Sequence, residues 1–145
     1  MLSDSALADI ARVIQASLAP VFVLTAVATM LNVLTNRLAR IIDRARSIEA
    51  QLDTLETGVT AAHGDLVTLH TRARLVNLSI TLCVVAALLV CLLIVGLFAG
   101  AMLEVHTTMG VAWAFILAML ALSVALVSFL REVFIATKTL RIGVR

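Results

Sequence analysis

The sequence predicts an all-α integral membrane protein with three transmembrane helices, and two observations carry that fold class. The first is composition: 62% of the 145 residues are hydrophobic and 14% are charged, whereas soluble domains are about half apolar and about a quarter charged. The second is where the charges fall. No Asp, Glu, Lys or Arg occurs in residues 13–36, 75–103 or 105–130. Each gap exceeds the ~20 apolar residues that carry a helix across a ~30 Å hydrocarbon core. Three such gaps in one short chain leave almost nothing for a water-facing shell, which excludes a soluble globular domain.

Lys and Arg set the expected orientation. Before residue 13 there is one, Arg12; from Arg37 to Arg74 there are six, Arg37, Arg40, Arg44, Arg46, Arg72 and Arg74. None lies near Glu104, and four (Arg131, Lys138, Arg141 and Arg145) lie in the tail. The positive-inside rule then puts the N-terminus outside, and the first loop and C-terminus in the cytoplasm. The first eleven residues carry no positive charge and an arginine-rich stop follows the apolar stretch, which is not the pattern of a cleaved signal peptide.

The elements follow in order. Residues 3–17 start with a cap candidate, Ser3 or Asp4, and repeat Leu7, Ile10, Val13 and Ile14. This spacing predicts an N-terminal amphipathic helix, lying on the outer membrane surface or extending the first span outward. Pro20 marks the expected junction, and the first span covers 18–36. No Gly or Pro interrupts residues 21–57, and Leu31, Leu34, Leu38, Ile41, Ala45, Ile48, Leu52, Leu55 and Val59 keep a 3.5-residue repeat. Such a seam predicts that the first helix projects into the cytoplasm by about 20 residues, or ~30 Å. Residues 57–65 hold Gly58 and Gly64 and read as a turn. Thr60 or Asp65 then caps a returning helix with its own seam: Leu66, Leu69, Ala73, Val76, Ile80, Cys83, Ala87, Val90 and Ile94. Residues 37–74 therefore predict an antiparallel coiled-coil hairpin in the cytoplasm. It leads into the second span, 75–103, where Gly96 and Gly100 form a GxxxG pair suited to close helix packing. The third span, 111–130, carries the small pairs Ala114/Ala118 and Ala121/Ala125, and the basic tail 131–145 reads as a further short helix through Val133, Thr137, Leu140 and Val144.

Residues with chemistry are few. There is no GxSxG, P-loop, HExxH or CxxC, so no enzyme, cofactor or nucleic-acid partner is expected. His63 and His70 are too few ligands for a metal site, and Glu104 and His106, with Thr107 and Thr108, read as interfacial polar residues. Cys83 and Cys91, eight residues apart on one helix, are ~12 Å apart along its axis; this is too far for a disulfide within the chain. The informative polar set is Thr25, Thr29, Asn32 and Asn36, whose spacing of four, three and four forms one stripe on the first helix. An unpartnered Asn in hydrocarbon is costly. The stripe therefore faces other helices through hydrogen bonds, or lines a hydrated path at an oligomer axis. Just beyond it lies the densest charge, Arg37, Arg40, Asp43, Arg44 and Arg46, joined by Arg131 and Glu132 at the inner end of the third span. This is a charged collar that fixes topology at the lipid phosphates, or a ring at a cytoplasmic mouth. Asp43, three residues from both Arg40 and Arg46, is placed to pair within the helix.

The segments Leu18-Ala19-Pro20-Val21-Phe22, Leu31 through Arg46 with its run Asn36-Arg37-Leu38-Ala39-Arg40-Ile41-Ile42-Asp43-Arg44-Ala45-Arg46, and Leu130-Arg131-Glu132-Val133 resemble a family of small bacterial three-helix membrane proteins catalogued as a domain of unknown function. The resemblance implies one domain in a bacterial cytoplasmic membrane and brings no reaction, substrate or site residues. Two functions are expected on these grounds: a homo-oligomeric structural or interaction assembly presenting its stalk to a cytoplasmic protein, or a small oligomeric ion channel lined by the polar stripe.

Overall fold

A computed structural model describes residues 4–52, 59–103 and 108–142, and all of them are helical. The helices are α1 (Asp4–Leu52), α2 (Val59–Leu103) and α3 (Thr108–Ile142). Each contains a stretch long and apolar enough to cross a membrane, within Ile10–Ala50, Leu66–Leu103 and Met109–Thr137. Large apolar side chains point away from the protein along all three, among them Phe22, Leu88, Leu92, Val95, Trp113, Leu120, Val127 and Phe134. An apolar surface this extensive is foreign to a soluble monomer and matches contact with lipid tails. The chain is a multi-pass membrane protein.

Three boundaries differ from the sequence expectation. First, α1 runs through Pro20 without a break, so Pro20 is not a junction and residues 4–17 continue the first span, the second of the two arrangements that the sequence allows. Pro20 removes the bond to the carbonyl four residues earlier and its ring crowds that carbonyl, and it is buried, so packing offsets the cost and holds the helix together across it. Second, α2 begins at Val59, before Thr60 and Asp65, so neither is its cap and Gly64 lies within the helix. Third, the tail is a direct continuation of α3 as far as Ile142. Ser3, Leu55, the turn residues before Val59, and Glu104, His106 and Thr107 lie outside the described residues.

The chain packs as two compact units, Met1–Met30 with Leu82–Ser123, and Leu31–Thr81 with Val124–Arg145. In the first, Val27 is buried on α1, Cys83, Ala86, Val90 and Leu93 on α2, and Ala118 on α3. The Cys83 thiol lies 3.9 Å from Met30 Sδ, a contact between soft, polarizable groups. In the second unit Leu34, Ile41 and Ile48 are buried on α1, Leu69, Val76 and Ser79 on α2, and Ala125, Ser128 and Glu132 on α3. The Ser79 hydroxyl is 3.0 Å from the carbonyls of both Leu75 and Ala125. It therefore ties α2 to α3, a link worth roughly 0.6–2 kcal/mol in a membrane.

Burial along each helix returns every seven residues. On α1 the buried line is Pro20, Val27, Leu34, Ile41, Ile48, with Leu31, Leu38 and Ala45 half-buried beside it. On α2 it is Leu69, Val76, Cys83, Val90, flanked by a second buried line of Ser79, Ala86, Leu93 and Gly100. The second line exists because α2 packs on α3 as well as on α1. On α3 the packed residues are Ala118, Ala125, Ser128 and Glu132, small side chains that let backbones approach before one large acid ends the row.

Candidate functional site

The acid at the end of that row is the centre of the site. The Glu132 side chain has no solvent exposure. Arg72 reaches it from α2, placing Nε and Nη2 each 3.0 Å from Glu132 Oε1 and donating from both. Arg37 comes from α1, with Nη1 3.2 Å from Glu132 Oε2. That approach lacks an aligned N–H, so Oε2 accepts no hydrogen bond although a cation faces it. The Arg37 guanidinium also lies over the Phe129 ring, 5.3 Å from its centroid, within cation–π range. One residue from each helix thus meets at a single layer.

The local sequence explains why. Ala114, Ala118, Ala121, Ala125, Ser128 and Glu132 alternate spacings of four and three, so Glu132 continues the packed face of α3. Arg72 stands seven residues before Ser79 on the α2 line that faces α3. Ser79 contacts Ala125 as Arg72 contacts Glu132. Seven residues along one helix match seven backwards along the other, which makes the pair antiparallel in this unit. An isolated buried carboxylate is far too costly to keep charged; two guanidinium groups make it tolerable.

The collar residues of the sequence separate around this centre. Arg37 and Glu132 come together, with Arg72 as a partner that the collar did not include. Arg40 and Arg44 join Arg37 and Arg72 around a cleft of about 210 Å³, lined also by Ile41 and Leu69. Arg46 instead borders a second groove of about 350 Å³, with Glu49, His70, Ile41, Ala45 and Leu66 among its other lining residues. Arg131 and Asp43 are exposed, and among the described residues no ion pair joins Asp43 to Arg40 or Arg46. Nor do any three of His, Cys, Asp and Glu come together among the described residues.

The polar stripe lies elsewhere. Thr25, Thr29, Asn32 and Asn36 are all exposed, away from the packed face of α1. Thr25 and Thr29 spend their hydroxyl protons on the carbonyls of Val21 and Thr25. Asn36 Nδ2 donates to Asn32 Oδ1 at 3.3 Å. Gly96 is half-buried, and a Cβ added there would meet Val111 Cγ2 at 3.6 Å, an ordinary van der Waals contact; Gly100 is buried.

Residues 17–142 match the family described as Protein of unknown function (DUF2721). The chain belongs to this family. The DUF2721 match takes in α1 from Ser17 onward, all of α2 and α3, and every residue of the Arg37–Glu132–Arg72 centre. No curated protein and no solved structure matches the chain.

Proposed function

We propose that this DUF2721 protein is a homo-oligomeric structural or interaction assembly of the bacterial cytoplasmic membrane. In this reading the α1–α2 hairpin is a coiled-coil stalk offered to a cytoplasmic protein. The observation that carries it is the outward position of Asn32 and Asn36. Both sit in or at the end of the charge-free stretch of α1, and among the described residues their one mutual bond leaves the other amide groups unpartnered on the protein surface. In hydrocarbon such groups require a partner, and a second copy of the same stripe supplies one. The stalk reading is supported by the seven-residue burial of Leu34, Ile41 and Ile48 on α1 and of the similarly spaced Leu69 and Val76 on α2. From Arg37, α1 continues to Leu52 and α2 begins at Val59, so both arms reach about 20 Å beyond the charged layer. The reading involves no catalysis, in keeping with a sequence that lacks acid, base and nucleophile motifs.

The same stripe carries a second reading, a small ion channel in which Thr25, Thr29, Asn32 and Asn36 face the oligomer axis. Replacing Asn32 and Asn36 together with Leu separates the two. For the assembly, the variant's native mass in detergent falls to smaller species, and pure wild-type protein carries no ion flux in liposomes. For the channel, wild-type protein conducts and the variant loses flux with its oligomer intact. A wild-type protein that is monomeric in detergent and in lipid nanodiscs overturns both.

A further inference from the structure

We infer that the cleft between α1 and α2 beside Glu132 binds a phosphate group, supplied by the headgroup of an anionic phospholipid. The inference rests on the membrane-spanning helices and not on oligomer formation. Arg37, Arg40 and Arg44, at intervals of three and four, share one face of α1, and Arg72 joins them from α2 around the cleft. Four guanidinium groups line it and no carboxylate does. Glu132, behind Arg37 and Arg72, is the one carboxylate paired with any of them among the described residues. Four positive charges against one negative leave a net +3 at this spot. Like charges three and four residues apart oppose helix formation, and an anion from outside the chain would relieve that repulsion.

The chemistry of the lining selects phosphate. Guanidinium forks match phosphate oxygens with paired N–H donors, and they keep their charge at any physiological pH. Size narrows the ligand further. A cleft of about 210 Å³ holds the equivalent of roughly seven waters, room for a phosphate and part of a glycerol. Location favours lipid as the source. Arg37 follows the charge-free stretch of α1 directly, and Arg72 lies just before that of α2, so the cleft sits at headgroup depth. Ile41 and Leu69 give it an apolar wall of the kind a lipid can use.

The test uses the full chain in a neutral detergent, with native mass spectrometry reading retained phosphatidylglycerol. The variant is Arg40→Gln with Arg44→Gln, both exposed and neither bonded to Glu132, so the buried centre stays intact. The control is Arg46→Gln with Arg131→Gln, which removes the same charge outside the cleft. Retention is expected to fall about tenfold or more in the cleft variant and less than about twofold in the control. Equal loss in both, or no retention by wild-type protein, overturns the inference. Displacement of the lipid by millimolar inorganic phosphate, with the same dependence on Arg40 and Arg44, supports the phosphate site and assigns its source to a free phosphate.

Discussion

Glu132 shows how one residue can set the register of three helices. Its carboxylate is wholly buried, and Arg37 and Arg72 are two-thirds or more buried around it, so each charge depends on the others. Glu132→Ala strands both arginines and is expected to cost about 3–5 kcal/mol, read as a clear fall in melting temperature in detergent. Replacing the three together, with Arg37→Met, Arg72→Met and Glu132→Leu, is expected to recover most of that loss, because no orphaned charge remains. A Glu132→Ala protein that melts like the wild type would show that the centre contributes nothing to stability. Part of this centre was readable in advance. Glu132 and Arg37 both border charge-free stretches, which places them at one depth. Their direct contact required the packed face of α3 to be followed past the apolar residues, from Ala125 through Ser128 to Glu132. Arg72 is one basic residue among six in its segment, and its role shows only once Ser79, seven residues later, is seen to face Ala125 on α3.

At the scale of the helices, spacing and breaker residues carried different amounts of information. The seams through Leu34, Ile41, Val76 and Cys83 are where burial is found, because a seven-residue repeat states which face is shared. Pro20 and Gly64 misled, because both are breakers in isolation and tolerable inside a packed helix. Pro20 even takes its turn in the buried line with Val27 and Leu34. Gly64 offers a direct check. It lies within α2 with open space where a Cβ would stand, so Gly64→Ala is expected to add up to about 1 kcal/mol from helix propensity. A glycine turn there would make the same change destabilising. Gly96 separates in a similar way. Its added methyl would only touch Val111, so Gly96→Ala is expected to leave the melting temperature unchanged or slightly raised. Gly96→Leu, with three more carbons directed at α3, is expected to lower it by several degrees. A marked loss on Gly96→Ala would mean that α2 needs a bare backbone here for a contact outside the chain.

For the whole molecule, the decisive asymmetry is between an end crowded with arginine and an end with almost none. Arg37, Arg72 and Glu132 bring the boundaries of three charge-free stretches into one layer, and that layer is where the bilayer is expected to end on that side. Lys and Arg bias topology through the cost of moving them across the membrane. The arginine-rich end should therefore stay in the cytoplasm, with the α2–α3 connection outside. Two exposed positions report the two ends, Arg46 near the hairpin and Met102 at the far end of α2. In a background with Cys83 and Cys91 replaced by Ala, single cysteines are introduced as Arg46→Cys and Met102→Cys. A membrane-impermeant maleimide applied to intact bacterial spheroplasts is expected to label the Met102→Cys protein and to reach the Arg46→Cys protein only after lysis. The reverse pattern would invert the orientation, placing the stalk and the arginine cleft on the outer face, away from any cytoplasmic partner. Labelling of both proteins before lysis would mean that the chain inserts in two directions. In that case the balance of one basic residue before the first span against six after it is too weak to set topology in this fold.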